Sequence, residues 1–176
     1  MADDAFFGIS PPILFDHPFS STAFDMESLF RQSVTIKASP ARVWEVLFTD
    51  HYYRRWTVPF SPGCYFEGTW ELGSEMRFLG DGGEGLLSVV SSAVPLQELV
   101  LTHQHEIKAG LSVEDALAQA KETGWYGAKE SYLLTSNSDG ETVLTASLEM
   151  PPQGFEFMVQ MWEGALKLIV EIAEGE

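Results

Sequence analysis

The chain of 176 residues has 26 acidic and 10 basic side chains, a net charge of −16. This charge repels nucleic-acid phosphates and anionic lipid surfaces over a Debye length of roughly 8 Å at physiological salt. With 45% hydrophobic and 12% aromatic residues, the composition excludes a wholly disordered chain and is typical of one folded domain. We therefore expect a single globular domain without a nucleic-acid partner.

Residues 1–30 form an apolar segment that differs from the rest of the chain. The segment starts with the acidic sequence Met1-Ala2-Asp3-Asp4, whereas a secretory signal needs positive charge there, and prolines interrupt its apolar run. No apolar run in the chain approaches the ~18 residues of a transmembrane helix. We expect a cytoplasmic protein without membrane insertion, whose N-terminal arm packs on the domain or mediates a homodimer. The arm's apolar side chains are Phe6, Phe7, Ile9, Ile13, Leu14, Phe15, Phe19 and Phe24.

A strand that turns directly into a helix follows the arm. Val34, Ile36 and Ala38 alternate with polar neighbours, as in a strand with one buried face. Ser39 is suited to cap a helix, and Pro40 fits the first helical position, where its missing N–H costs nothing. The motif Ala-Ser-Pro-x-x-Val-Trp runs from Ala38 to Trp44, and a second short helix is expected to end near Trp56.

This motif resembles the opening of the START-like SRPBCC superfamily, in particular its branch of heat-shock ATPase activator homologues. Further matches follow in the same order, with Gly68–Gly73, a glycine-rich turn at Gly80–Gly85, and Pro95 shortly before Leu99. The resemblance covers about residues 31–174. It implies an α+β helix-grip fold, in which a curved antiparallel sheet of about six or seven strands wraps around a long C-terminal helix, with two short helices after the first strand. The START-like domain would span residues 31–176.

An apparent helical insertion interrupts this pattern near residues 109–127. Ser112-Val113-Glu114-Asp115 has the form of a helix N-terminus, and Gly124 is a suitable stop. Trp125 and Tyr126 follow directly. The extra helix could be a lid over a cavity mouth or a surface helix held down by Trp125, and the sequence leaves both interpretations open.

Two histidines lie on one predicted strand, Leu99–Ile107. His103 and His105 share parity with the apolar residues Leu99, Leu101 and Ile107, so both imidazoles are expected on the buried side. They could line a pocket, or they could be ordinary histidines hydrogen-bonded within the sheet. A metal site needs a third donor, and the sequence identifies none, so we predict no metal site.

The C-terminal segment is predicted to be a helix over about residues 154–173. A narrow polar stripe leaves most of its surface apolar, so the Trp162 face should pack on the sheet. On the residues alone, this face could be ordinary core. The resemblance implies a ligand cavity between helix and sheet, with candidate ligand-binding residues Trp44, Trp56, Phe78, His103, His105, Tyr132, Met158, Met161, Trp162 and Ala165.

The sequence specifies no reaction and no cofactor. It contains no serine-protease order, zinc spacing or dinucleotide fingerprint. The resemblance favours a protein that binds a small hydrophobic molecule, apolar or aromatic, in an internal cavity. One alternative is an enzyme of the cyclase or hydratase type, with His103 or His105 as acid or base and Tyr132 as partner. Another is a protein-interaction module like the chaperone ATPase activators, whose separate N-terminal domain residues 1–30 are too short to supply.

Overall fold

The computed structural model describes residues 28–175, and these residues form an α+β fold. The elements in chain order are β1 (Ser28–Ile36), α1 (Pro40–Phe48), α2 (Asp50–Trp56), β2 (Tyr65–Glu67), β3 (Glu75–Leu79), β4 (Gly85–Val94), β5 (Glu98–Ile107), α3 (Val113–Thr123), β6 (Lys129–Ser136), β7 (Thr142–Met150) and α4 (Phe155–Gly175). Within the described residues, none of the helices is long and apolar enough to cross a bilayer.

In this part of the chain, seven strands form one antiparallel sheet in the order β1-β7-β6-β5-β4-β3-β2. β1 is an edge strand that pairs with β7, so the first and last strands of the domain are neighbours. The predicted fold class is confirmed, including the number of strands, the two short helices after β1 and the long C-terminal helix on the sheet.

The helix pair after β1 forms as its sequence predicts. The Ser39 side chain accepts a hydrogen bond from the Arg42 N–H, and Pro40 occupies the first turn. Trp56, at the end of α2, donates from Nε1 to the Val46 carbonyl across 3.1 Å. This bond joins α2 to α1 and fixes the buried position of the indole.

Helix α4 buries its apolar face, the side opposite its polar stripe. Trp162 is 2% exposed, and its ring stacks on Phe30 of β1 with centroids 5.6 Å apart. At the far end of α4, the Glu174 carboxylate accepts the Lys37 backbone N–H at 2.8 Å. The helix is therefore tied to β1 and to the residue that follows it.

β1 and α3 lie close to the two predicted segment boundaries. β1 begins at Ser28, three residues before the predicted start of the domain, because Ser28 already pairs with Met150. The rest of the predicted arm, residues 1–27, lies outside the described residues. Within the predicted insertion, α3 starts after Ser112, whose side chain accepts from the Asp115 N–H, and ends at the left-handed Gly124.

A β-bulge in β5 separates the two histidines. His103 pairs with Ser88 and His105 with Leu87, which are consecutive residues of β4, so Gln104 is the extra residue of the bulge. Both imidazoles are buried, as their parity predicts. Of the two, His103 alone lines the space beneath α4, so the structure corrects the expectation that His105 shares that space.

Candidate functional site

A cavity lies between the sheet and helices α2 and α4. Its volume is about 60 Å³, room for a few water molecules or a very small ligand. Drug-sized ligands occupy pockets of roughly 300 to 1,000 Å³, so a larger molecule would need the walls to move. The lining residues are Tyr53, Trp56, Thr57, Phe60, Cys64, Phe78, Leu86, His103, Trp125, Glu130, Tyr132, Leu148, Met158 and Trp162.

Aromatic rings that contact one another form most of the wall. Trp162 meets Phe60 edge-on with centroids 5.2 Å apart, and its ring lies 6.0 Å from that of Tyr132. On the other side, the rings of Tyr53 and Phe78 stack at 6.1 Å. These ring contacts make the wall of the cavity largely apolar and aromatic.

Four polar side chains form a chain of contacts along the sheet side of this cavity. Ser88 Oγ lies 2.8 Å from His103 Nδ1, and His103 Nε2 lies 3.6 Å from Glu130 Oε2. The Tyr132 hydroxyl donates to Glu130 Oε1. His103 and Glu130 therefore each have one polar atom held by a neighbour and one atom facing the other group.

The strand register places these four residues together. Ser88 and His103 are cross-strand partners on β4 and β5, while Glu130 and Tyr132 are two residues apart on β6 and so share a face. Glu130 of β6 is the cross-strand partner of Leu101 of β5. His103 is the next residue of β5 on the same face as Leu101, so the Glu130 carboxylate lies beside it. Three adjacent strands thus supply the cluster.

Burial shifts the pKa values of this cluster in opposite directions. Loss of hydration lowers the pKa of His103 to about 4, because a buried imidazolium is disfavoured. Loss of hydration raises the pKa of Glu130 to about 7, although the hydrogen bond from Tyr132 lowers this pKa. Burial also raises the pKa of Tyr132 well above its usual range. At neutral pH, His103 and Tyr132 are uncharged, and Glu130 is close to its midpoint.

The hydrogen bonds indicate which ring nitrogen of His103 bears the proton. When Glu130 is ionised, its Oε2 can only accept, and it faces Nε2. We therefore assign the proton to Nε2 in that state, and Nδ1 then accepts from the Ser88 hydroxyl. The result is a neutral imidazole whose Nε2–H lies next to the carboxylate, with Nε2 3.6 Å from Oε2.

The cavity reaches the surface beside α3. Of its lining residues, Leu86, Trp125 and Glu130 are the three that are not fully buried, and the Glu130 side chain is 18% exposed. The Trp125 ring lies 5.8 Å from that of His103 and covers it from the loop after α3. These three residues form the cavity mouth.

Six of the sequence-predicted site residues line the cavity, namely Trp56, Phe78, His103, Tyr132, Met158 and Trp162. The other four lie elsewhere. Trp44 packs its ring on Phe48 at 4.6 Å, and Met161 and Ala165 belong to the buried core on α4. The His105 ring contacts the Glu106 carbonyl through Nδ1 at 2.8 Å.

Sequence reasoning missed the polar residues Ser88 and Glu130. It also did not name these lining residues as part of a site: Tyr53, Thr57, Phe60, Cys64, Leu86, Trp125 and Leu148. The parity of Glu130 with Tyr132 was a usable signal, but a charged residue on a strand is normally interpreted as solvent-facing. Ser88 gives no signal, because its role depends on the register with β5.

Cys64 lines the cavity as a protonated thiol, since burial raises its pKa to about 11. Among residues 28–175, no cluster of three or more His, Cys, Asp or Glu side chains could hold a metal ion.

Comparisons with known proteins show the fold. No protein-family model matches the chain, and no curated protein matches it by sequence. The solved structure of the Aha1 dimer from Colwellia psychrerythraea is similar with a TM-score of 0.62 and 18% identity, over 84% of this chain and 97% of that one. CalU16 from Micromonospora echinospora matches with a TM-score of 0.56 and 16% identity, over 84% of this chain and 73% of that one.

DynU16, a putative protein in the dynemicin biosynthetic locus, matches with a TM-score of 0.59 and 14% identity, over 81% of this chain and 46% of that one. The chain therefore has the helix-grip fold of START-like SRPBCC proteins, and the resemblance of its opening motif is confirmed at the level of the fold.

Proposed function

We propose that this protein binds a small apolar or aromatic molecule in the cavity beneath α4. The observation that supports this function best is the combination of aromatic walls with polar groups that converge at one end, His103, Glu130 and Tyr132. Ligand sites are typically apolar, with a few polar groups that orient the ligand.

Burial of this polar cluster would lower the stability of the fold without benefit if the region served only as core. A carboxyl group and an imidazole taken out of water lose hydration, and a gap of 3.6 Å between them returns little of that energy. Apolar side chains of similar volume would fill the same space with greater stability. The presence of a titratable pair beside a void therefore favours a binding role over simple packing.

The volume of about 60 Å³ limits the occupant. A molecule of a few heavy atoms fits the present walls, whereas a larger aromatic ligand requires movement at the mouth. Trp125 lies in a loop, and Met158 has an unbranched, adaptable side chain. Displacement of these two side chains is the least costly way to enlarge the cavity.

The binding proposal can be tested with matched tryptophan substitutions. Leu86→Trp places a large ring at the cavity mouth, while Leu133→Trp places the same ring at an exposed position on β6. We expect benzene and indole to stabilise the wild type and Leu133→Trp in thermal unfolding, and to have less effect on Leu86→Trp. Equal stabilisation of all three proteins, or of none, would contradict binding in this cavity.

A second proposal concerns self-association. The solved Aha1 structure is described as a dimer, and in the described part of this chain Phe157 of α4 is exposed and lies in a surface patch with Ser28, where residues 1–27 join β1. We propose a homodimer formed through the N-terminal arm and this patch. Sedimentation of the full chain should show a dimer. Phe157→Ser should weaken this dimer, whereas Leu72→Ser, at an exposed apolar residue outside the patch, should leave it intact. A wild-type monomer at all concentrations would contradict it.

A further inference from the structure

We propose that His103 and Glu130 form an acid–base pair that abstracts a proton from the carbon next to the carbonyl of a small apolar ketone or aldehyde. This activity goes beyond binding, and it depends on the proposed function only because substrate and ligand share one cavity. The reaction is a reversible keto–enol conversion that needs no cofactor.

The geometry of the pair carries the proposal. The 3.6 Å between His103 Nε2 and Glu130 Oε2 exceeds a good hydrogen bond. The other polar atom of each group is already occupied, Nδ1 by Ser88 and Oε1 by Tyr132. The two atoms left available therefore lie side by side at the cavity, one a donor and the other an acceptor.

A carbonyl compound matches this arrangement atom by atom. Its oxygen can accept from Nε2–H, while the adjacent carbon, one bond away from the carbonyl carbon, approaches Oε2. A reacting atom about 3 to 3.5 Å from the base is in near-attack geometry. The aromatic walls hold the apolar remainder of the molecule, and they offer no competing charge.

Each bond change in the step is balanced within the substrate and Glu130. The Oε2 lone pair takes the proton, and the C–H electron pair becomes a carbon–carbon double bond. The carbonyl π pair moves to oxygen, where Nε2–H donates to the developing enolate. Return of the proton from Glu130 to carbon regenerates the ketone, and its transfer to oxygen gives the enol. No oxidant, reductant or second reactant takes part.

The electrostatic surroundings suit these roles. A neutral imidazole can donate its Nε2–H to the enolate oxygen without first being protonated. A carboxylate base works best when its pKa is near the working pH. The other titratable groups that line the cavity with the pair are Tyr132 of β6, Tyr53 of α2 and the Cys64 thiol, all of which are neutral at pH 7 because burial raises their pKa values. β7 and α4 present Leu148, Met158 and Trp162.

The experiment measures exchange of the α-protons of butanone with D2O by NMR, in parallel with binding of butanone by saturation transfer. We expect wild-type protein to accelerate exchange about a hundredfold over buffer. The rate should rise with pH and level off above about 7, as Glu130 becomes a carboxylate. Binding without accelerated exchange would overturn this inference and leave the proposed function standing. Absence of binding would overturn both.

Three variants separate catalysis from packing. Glu130→Gln keeps the shape of the side chain and should abolish exchange while butanone still binds. The matched control Glu75→Gln, at an exposed carboxylate on β3, should exchange at the wild-type rate.

Tyr132 is a positioning residue, so Tyr132→Phe should move the midpoint of the pH profile upward, because the hydrogen bond from Tyr132 lowers the pKa of Glu130. Undiminished exchange in folded Glu130→Gln, or an unmoved midpoint in Tyr132→Phe, would contradict the assignment. If Glu130→Gln fails to fold, the wild-type pH profile and the Tyr132→Phe midpoint still decide the question.

Discussion

Ser88 Oγ and His103 Nδ1 lie 2.8 Å apart as cross-strand partners on β4 and β5, and both side chains are buried. This contact satisfies one nitrogen of an imidazole that has no access to bulk water. It also orients the other nitrogen toward Glu130 and the cavity. A short hydroxyl side chain thus sets the position of the histidine that the proposed chemistry uses.

Ser88→Ala should destabilise the fold by about 1 to 3 kcal/mol, because it leaves the buried Nδ1 without a partner. Urea unfolding measures this cost. Ser33→Ala serves as the control, since Ser33 bonds to Thr145 at an exposed position and should cost less than about 0.5 kcal/mol. Equal costs for the two variants would show that the Ser88 contact has no special role.

Stability should depend on pH in opposite directions through His103 and Glu130. The folded pKa of Glu130 is about 7 against an ordinary value of 4.5, so the folded state binds more protons and Glu130 makes stability fall as pH rises from 4.5 to 7. The folded pKa of His103 is about 4 against 6.5, so the unfolded state binds more protons and His103 makes stability rise from pH 4 to 6.5.

Because these slopes oppose each other, single substitutions should reveal them. Glu130→Gln should become more stable relative to wild type as pH rises from about 4.5 to 7, and His103→Phe should become less stable relative to wild type from about pH 4 to 6.5. Urea midpoints at closely spaced pH values measure both trends. Parallel curves for wild type and Glu130→Gln would show that the Glu130 pKa is not raised.

Trp162→Ala should cost about 3 kcal/mol, at the lower end of the range for loss of a buried aromatic ring. The ring packs on Phe30 and Phe60, but one side already borders a void, so fewer contacts are lost there. Leu72→Ala, at a leucine that is 69% exposed, should cost less than about 0.5 kcal/mol. A similar small cost for both would contradict the placement of Trp162 in the core.

Gly85→Ala should strongly destabilise the β3–β4 hairpin. A Cβ at Gly85 would lie 1.8 Å from the Phe78 carbonyl oxygen, so the two strands would have to separate. Gly82→Ala in the same connection meets no atom within 4 Å and should be tolerated. Thermal unfolding compares the two variants, and equal melting temperatures would contradict the close approach of β3 and β4 at Gly85.

Local signals in the sequence were sufficient to predict most of the fold. The cap at Ser39, the proline at the first turn of α1 and the apolar face of α4 each depend on neighbouring residues alone. Trp56, Met158 and Trp162 could be placed at the helix–sheet boundary for the same reason. The resemblance then supplied the order of the elements.

The polar end of the cavity could not be predicted because it depends on pairing between strands. The bulge at Gln104 separates His103 from His105, and it is visible only in the register of β5 with β4. Glu130 lies at an inward position, although a carboxylate on a strand is normally expected to face solvent. Its partner His103 lies on a different strand. Local patterns contain no record of such contacts.

A crystal structure of the protein soaked with butanone tests the central claim most directly. We predict that butanone occupies the cavity that Trp56 and Trp162 line, with its carbonyl oxygen within hydrogen-bonding distance of His103 Nε2 and its α-carbon beside Glu130 Oε2. A cavity closed by its own side chains, with butanone bound only at the protein surface, would contradict both the binding site and the chemistry proposed for it.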